Sequence, residues 1–288
     1  MENTTGGMEG KIVLITGGTS GIGKATATAL AAMGAEVVVT GRNRERGETA
    51  LAEIRRASDS EKVSLVLANL AVQAEVRRLA GTFIERHDRL DVLVNNAGLI
   101  QSRRTETPDG IELTLAVNHL APFLLTNLLL DLLKRSAPSR IITVSSEARR
   151  SAEIAFDDLQ SGRRYRAFPV YGMTKKANIL FTYELAERLE GTGVVANCVH
   201  PGGVNTNFGG RERSPGILLF RALKPFMRSP EQGADTVIYL AASPEAAEMN
   251  GKYLTDRQEV SPAEPRDAAA QKRLWEVSEA LTNLEVPS

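Results

Sequence analysis

The stretch Lys11-Ile12-Val13-Leu14-Ile15-Thr16-Gly17-Gly18-Thr19-Ser20-Gly21-Ile22-Gly23 decides the fold. Its first half is a short apolar run, the pattern of a strand buried on both faces. Its second half is a glycine-rich turn, and Gly21 to Met33 reads as a helix with Gly34 as its C-cap. The same alternation continues outward. Strands are predicted at Glu36–Thr40, Val63–Leu67, Asp91–Val94, Arg140–Val144 and Val194–Val199. Helices are predicted at Glu45–Ala57, Gln73–His87 and Ile111–Arg135, and from the region of Tyr171 to about Glu190. Short apolar strands separated by helices imply a parallel sheet covered on both faces, and right-handed crossovers make it doubly wound, an α/β fold in three layers, α/β/α. No linker-like break and no repeat interrupts residues 1–288, so a single domain is expected, with its core over 8–260. Residues 203–229 lack a clear strand. Ser229-Pro230-Glu231-Gln232 reads as a capping box with proline at the first helical position, and the C-terminal extension 261–288 turns helical around Trp275.

Glycines in the first strand-to-helix turn let the backbone approach a pyrophosphate, and the helix N-terminus offers free N–H groups and partial positive charge. The fold is therefore expected to be of the Rossmann type, binding a dinucleotide there. The spacing is Gly-x3-Gly-x-Gly rather than the common GxGxxG. An acidic residue at the end of the second strand would select NAD through the ribose hydroxyl. This chain has Thr40-Gly41-Arg42-Asn43-Arg44 instead, and the planar fork of Arg42 suits a 2′-phosphate, so NADP(H) is the expected cofactor. The plainer alternative is that Arg42 is a solvated loop residue.

Tyr171 and Lys175 are four residues apart, which on a helix puts both on one face. A phenol is a poor acid, with an ordinary pKa of roughly 10. A neighbouring ammonium pulls that value down and suits the phenol to proton exchange with a carbinol oxygen. By itself the pair also fits an ordinary surface helix.

Bulk properties narrow the classes. Lys plus Arg number 35 and Asp plus Glu 35, so no basic excess points to nucleic acid. The one cysteine, Cys198, cannot form an intrachain disulfide and reads as a small buried strand residue, which fits a reducing, cytoplasmic setting. The N-terminus has neither the basic nor the apolar region of a signal peptide. The longest apolar run, Leu120 to Leu133, falls short of the roughly 20 residues a bilayer needs and contains Pro122, Asn127 and Asp131, so no membrane anchor is expected. No Cys/His cluster has metal spacing, so no metal is expected, and His87, His119 and His200 need no catalytic role.

Taken in order, Thr16-Gly17-x-x-x-Gly21-x-Gly23, Asn95-Asn96-Ala97-Gly98, Asn118, Ser145-Ser146, Tyr171-x-x-x-Lys175 and Pro201-Gly202 resemble the short-chain dehydrogenase/reductase family, in its compact single-domain subclass. The likeness spans roughly residues 8 to 260. Val117-Asn118-His119-Leu120-Ala121-Pro122-Phe123, Lys176-Ala177-Asn178-Ile179-Leu180-Phe181-Thr182, Val199-His200-Pro201-Gly202 and Gly251-Lys252-Tyr253 resemble its retinol dehydrogenase-like branch. The resemblance implies hydride transfer between NADP(H) and a carbonyl or alcohol, with a small lipophilic aldehyde, ketone or secondary alcohol as substrate. It implies Tyr171 as acid/base and Lys175 as the group that lowers the tyrosine's pKa and holds the nicotinamide ribose. Ser146, rather than Ser145, would bind the substrate carbonyl, and Asn118 would fix a water that relays protons to Lys175. Gly17, Thr19, Ser20, Gly21, Ile22, Gly23, Asn69, Leu70, Asn96, Ala97, Gly98, Pro201, Gly202, Val204 and Thr206 would line the cofactor beside Arg42. A homodimer through the helices containing Asn118 and Tyr171 is a further implication.

Three departures stand out. Ser146 and Tyr171 are 25 positions apart, about twice the separation in compact family members, so Glu147 to Val170 holds an insertion that reads as a mixed polar loop near the site mouth. Asn69 stands where the family has an aspartate against adenine, although an amide oxygen can still accept from the adenine amino group. The N-terminal anchor of several animal retinol dehydrogenases has no counterpart here. Ile217-Leu218-Leu219-Phe220 and Phe226-Met227 suit either a lid over an apolar substrate or a helix packed on the domain. A non-catalytic NADP(H)-binding sensor on the same fold is the alternative function.

Overall fold

Val13, Ile15, Val37, Val39, Val92 and Val94 point to one side of a central sheet, while Leu14, Val38, Leu93 and Ile141 point to the other. This period-two alternation of apolar side chains demands a helical layer on each face. The computed structural model describes residues 7–205, 227–260 and 266–284. It contains β1 (Ile12–Ile15), α1 (Gly21–Ala32), β2 (Glu36–Gly41), α2 (Arg44–Ser58), β3 (Val63–Leu67), α3 (Gln73–Arg86) and β4 (Val92–Asn95). After β4 come α4 (Leu113–Leu115), a π-helical segment (Ala116–Leu120), α5 (Ala121–Leu128), α6 (Leu130–Arg135) and β5 (Ser139–Val144). The remaining elements are α7 (Ala167–Arg188), β6 (Val194–Val199), α8 (Pro230–Ala242), β7 (Lys252–Thr255), β8 (Gln258–Glu259) and α9 (Ala268–Thr282).

The sheet order is β3-β2-β1-β4-β5-β6-β7-β8, parallel throughout except for the β7–β8 pair. One apolar layer joins the sheet to α1, α2 and α8, and the other joins it to α3, α5, α7 and Trp275 of α9. β1 pairs with β2 on one side and β4 on the other, so the chain reverses its winding there. Such a switch point leaves a crevice beyond the strand C-termini, flanked here by the loops after β1 and β4.

The six expected strands and the helices between them are present, with ends displaced by a residue or so. The capping box at Ser229 forms, with Ser229 accepting from Gln232 N and Gln232 accepting from Ser229 N. The predicted continuous helix over Ile111–Arg135 is instead broken. Glu112, wholly buried, opens it by accepting from Thr114 N (2.9 Å) and Leu115 N (2.7 Å). The helix then widens into the π-helical segment containing Asn118, resumes as α5 and breaks again at Leu129 before α6. β7 and β8 are additions to the expected list. The anticipated lid, Ile217-Leu218-Leu219-Phe220 with Phe226, lies outside the described residues. Among the described residues, no helix is long and apolar enough to cross a membrane.

Candidate active site

The loop after β1 is held open by its neighbours. Gly17 has φ +65, and a Cβ there would stand 3.0 Å from the Ala97 Cα. A Cβ on Gly23 would come within 2.5 Å of both Asn96 Nδ2 and the Gly17 carbonyl oxygen. Both sites therefore require glycine. Asn96 Nδ2 donates to the Thr16 carbonyl (2.8 Å) and the Gly17 carbonyl (3.2 Å), and Thr16 Oγ1 accepts from Asn96 N and Ala97 N. The loops after β1 and β4 are thus bolted together. The Asn96 side chain is committed to shaping the glycine turn, while Ala97 and Gly98 continue along the crevice. Thr16 is a shaping residue that the motif reading left unassigned, although its place beside Gly17 was a usable signal.

Ser20 is the N-cap of α1, yet its side chain makes no cap bond, which leaves the first-turn N–H groups of Gly21, Ile22 and Gly23 facing the crevice as an anion cradle. Thr19 lies against the end of β2, since a Cβ on Gly41 would meet its methyl at 2.7 Å. Arg42 follows directly and is exposed. Asn69 is exposed at the end of β3, and its Oδ1 accepts from Ala71 N (3.2 Å), with Leu70 half-buried beside it. Across the crevice, Pro201 is buried and Gly202 has φ +81 against the Arg228 side chain. Val204 packs on Gly233 and bridges Arg228, with Asn205 N donating to the Arg228 carbonyl. Thr206 lies outside the described residues. The cradle, the exposed guanidinium and the absence of Cβ atoms where a backbone must be approached together fit a nicotinamide dinucleotide.

α7 carries Tyr171 and Lys175, the expected acid/base pair. Ser146 ends β5's loop, and its Oγ accepts from Ala148 N (3.3 Å) while its hydroxyl is hydrogen-bonded to that of Tyr171. Ser145, by contrast, is buried and donates to the Lys175 carbonyl (2.7 Å), so it tethers α7 to β5. Lys175 is 3% exposed, and its Nζ donates to the Val144 carbonyl (2.9 Å). Its ammonium stands 5.6 Å from the centre of the Tyr171 ring.

The expected tuning of the pair is not what this geometry produces. Burial pushes the Tyr171 phenol up to about 12, with the Ser146 hydrogen bond opposing. Burial also lowers Lys175 to about 8, with Cys198 opposing. Burial is the leading cause for both groups, and Lys175 spends its nearest contact on a carbonyl of β5. Tyr171 is therefore a proton donor at neutral pH.

Asn118 is wholly buried in the π-helical segment. Its Oδ1 accepts from Leu99 N (2.8 Å), and its Nδ2 donates to the Leu99 carbonyl (2.9 Å) and to Thr174 Oγ1 (3.1 Å). It therefore does not bond Lys175 directly. The two face each other across Gly98, where a Cβ would stand 3.4 Å from Lys175 Nζ and 3.5 Å from Asn118 Oδ1. The Glu147–Val170 insertion packs on α7, with the Ala148 carbonyl 2.4 Å from where a Cβ of Gly172 would be. Three of its arginines are paired: Arg149 (3.2 Å) and Arg150 bond Glu147, and Arg163 bonds Asp157 (2.5 Å). A cleft of about 170 Å³ between this loop and α7 is lined by Asp158, Leu159, Arg164, Val170 and Met173. By helical periodicity, Val170 and Met173 lie on the side of α7 turned away from Tyr171 and Lys175. Among the described residues, no His/Cys/Asp/Glu group could hold a metal ion.

The short chain dehydrogenase family model matches residues 11–215. The chain belongs to the short-chain dehydrogenase/reductase family. Human retinol dehydrogenase 14 is 43% identical over 96% of this chain and 88% of its own length. Among solved structures, an uncharacterized protein from Mycobacterium paratuberculosis matches at TM-score 0.79 and 30% identity, covering 99% of this chain and 97% of that one. A short chain dehydrogenase from Burkholderia cenocepacia in complex with NADP matches at TM-score 0.68 and 28% identity, over 86% of this chain and 97% of that one. As a short-chain dehydrogenase/reductase, this protein is an NAD(P)-dependent oxidoreductase acting on CH–OH groups.

Proposed function

We propose that this protein reduces the carbonyl of a lipophilic aldehyde or ketone with NADPH, and runs the reverse reaction on the corresponding alcohol. The observation that carries the reading is the Tyr171 phenol, protonated at neutral pH and hydrogen-bonded to Ser146 at the mouth of the crevice. The nicotinamide, when bound, supplies the hydride. Tyr171 Oη gives its proton to the carbonyl oxygen as negative charge gathers there. Ser146 Oγ accepts from Ala148 N, and its O–H, hydrogen-bonded with Tyr171 in the free protein, would donate to the same oxygen once substrate is bound. The Lys175 ammonium, held on the Val144 carbonyl, adds positive charge beside the phenol and would hold the cofactor's ribose. Asn118, across Gly98, is placed for a water-mediated link to Lys175.

Arg42 supports NADP(H) over NAD(H), because it is exposed where an acidic residue would repel a 2′-phosphate. Likeness to retinol dehydrogenase 14 supports a lipophilic substrate. NADPH oxidation on a panel of aldehydes and ketones, comparing wild type with Tyr171→Phe, tests the reading. Turnover in the wild type and its loss in the variant are expected. Tight NADPH binding with no turnover on any carbonyl would instead favour a non-catalytic sensor.

A further inference from the structure

A line of buried polar groups runs from α9 to the backbone of Asn118. Asn178 Nδ2 donates to the Asn118 carbonyl (3.0 Å), Asn178 Oδ1 lies 3.2 Å from His119 Nδ1, and His119 Nε2 lies 2.9 Å from Ser278 Oγ. Asn178, His119 and Ser278 are each 1% exposed or less. The aromatic rings of Phe123 and Phe181 stand beside His119, so the line is embedded in apolar packing.

The polarity of this line is determined from one end. A main-chain carbonyl can only accept, so Asn178 must turn its NH2 to Asn118 and its oxygen to His119. That oxygen can only accept, so Nδ1 carries the imidazole proton. Burial keeps the ring neutral, pushing its pKa down to about 4, so Nε2 is left as an acceptor. Ser278 is then the donor at the far end. Its O–H has one rival acceptor, the Leu274 carbonyl at 2.7 Å. Its O–H is thus shared between Nε2 and that carbonyl, while the Asn118–Asn178–His119 part of the line is matched in one sense only.

We propose that His119, Asn178 and Ser278 are positioning residues that hold the π-helical segment at Asn118 in its catalytic geometry, making the C-terminal helix part of the active-site scaffold. The π-helical segment widens the helix at the residue that must face Lys175 across Gly98. Asn118's side chain is pinned on one side by Leu99 and Thr174, and Thr174 in turn donates to the Tyr171 carbonyl. Asn178, also on α7, holds the Asn118 carbonyl, while Ser278 of α9 bonds His119 within the same segment. The segment is thus clamped between the catalytic helix and α9, and releasing one jaw displaces Asn118 relative to Lys175 and Tyr171.

The kinetic arm of the test rests on the carbonyl-reductase reading, and the exchange arm does not. Ser278→Ala removes the terminal donor, Asn178→Asp keeps the shape but removes the NH2 that Asn118 accepts from, and Ser278→Thr restores a hydroxyl. For Ser278→Ala and Asn178→Asp, kcat on the best aldehyde or ketone should fall by roughly 10- to 100-fold with KM for NADPH little changed, as expected for misplacement rather than lost binding. Amide hydrogen exchange should quicken at Leu99 and over residues 116–121, with the exchange of β1, β4 and β5 unchanged. Ser278→Thr should restore both. Ser278→Ala with a lower melting temperature but wild-type kcat and wild-type local exchange would reduce the line to ordinary core packing and overturn the proposal. A wild-type protein without turnover on any carbonyl sinks the reductase reading, and the exchange comparison then decides the proposal alone.

Discussion

Lys175 and Tyr171 carry opposite consequences of the same burial: one base is made easier to neutralise and one acid harder to ionise. Reduction needs the phenol protonated and the lysine charged. With Tyr171 up to about 12 and Lys175 down to about 8, kcat/KM for carbonyl reduction should be level on the acid side and fall as pH rises through about 8, as Lys175 loses its proton. A profile still rising beyond that point would contradict the assignment. Arg42 makes a second residue-level prediction. Charge-assisted hydrogen bonds contribute about 1.5–3 kcal/mol, so Arg42→Asp should cost on the order of 10- to 100-fold in kcat/KM with NADPH while sparing NADH. Unchanged preference between the two would return Arg42 to the role of a solvated loop residue. Both residues were legible in the chain, one from spacing along a single helix and one from its place after a strand. The direction of the tyrosine's shift was not, because it follows from burial, which is set only when separate segments pack around the phenol.

Among the elements, β1 and β4 are joined at their beginnings by Asp91. Its carboxylate, 2% exposed, accepts from Arg89 (2.5 and 2.9 Å), Lys11 Nζ (2.9 Å) and Ile12 N (2.9 Å), and these partners hold its pKa below the usual range against burial, which pushes the other way. Asp91→Ala orphans the Ile12 N–H and removes a charged acceptor, so it should destabilise the fold by about 2–3 kcal/mol, read as a lower urea midpoint with unchanged m. The strands and most helices were readable because period-two and helical patterns are local. The break in the predicted Ile111–Arg135 helix was not, since an apolar sequence there suits α and π turns alike. The widening is associated with partners from elsewhere, Leu99, Thr174 and Asn178. β7 and β8 escaped notice because they are only four and two residues long, and pairing, of β7 with β6 and of β8 with β7, rather than sequence pattern makes them strands.

For the molecule as a whole, α9 is the part whose contribution is largest relative to its signal in the chain. Trp275 is 4% exposed, stacks on Phe181 at 5.8 Å, meets Phe123 edge-on at 5.0 Å and lies under the Arg188 guanidinium. Trp275→Ala should cost about 3–5 kcal/mol, seen as a lowered melting temperature. The same helix covers the outer faces of α5 and α7, the helices through which family resemblance implies a homodimer. Light scattering should therefore show self-association rising when the chain is cut after residue 265, as Phe123 and Phe181 are uncovered. His119 ties stability to pH. Its folded pKa of about 4 lies below the ordinary 6.5, so between those values the unfolded chain binds more protons. Stability should accordingly be lost as pH falls through that window, by about 3 kcal/mol at most, and a histidine-to-glutamine variant at this position should flatten the slope.

The order of strands and helices, the glycine turn between β1 and α1 and the Tyr171–Lys175 pair could all be read along the chain, because each is written within a few neighbouring residues. Two things took shape only in the folded protein: that burial raises the Tyr171 phenol's pKa instead of its being lowered, and that a helix near the C-terminus reaches the segment holding Asn118. Each depends on desolvation and on hydrogen-bond partners 25 or more positions distant, and such quantities exist only once separate segments share a packed interior.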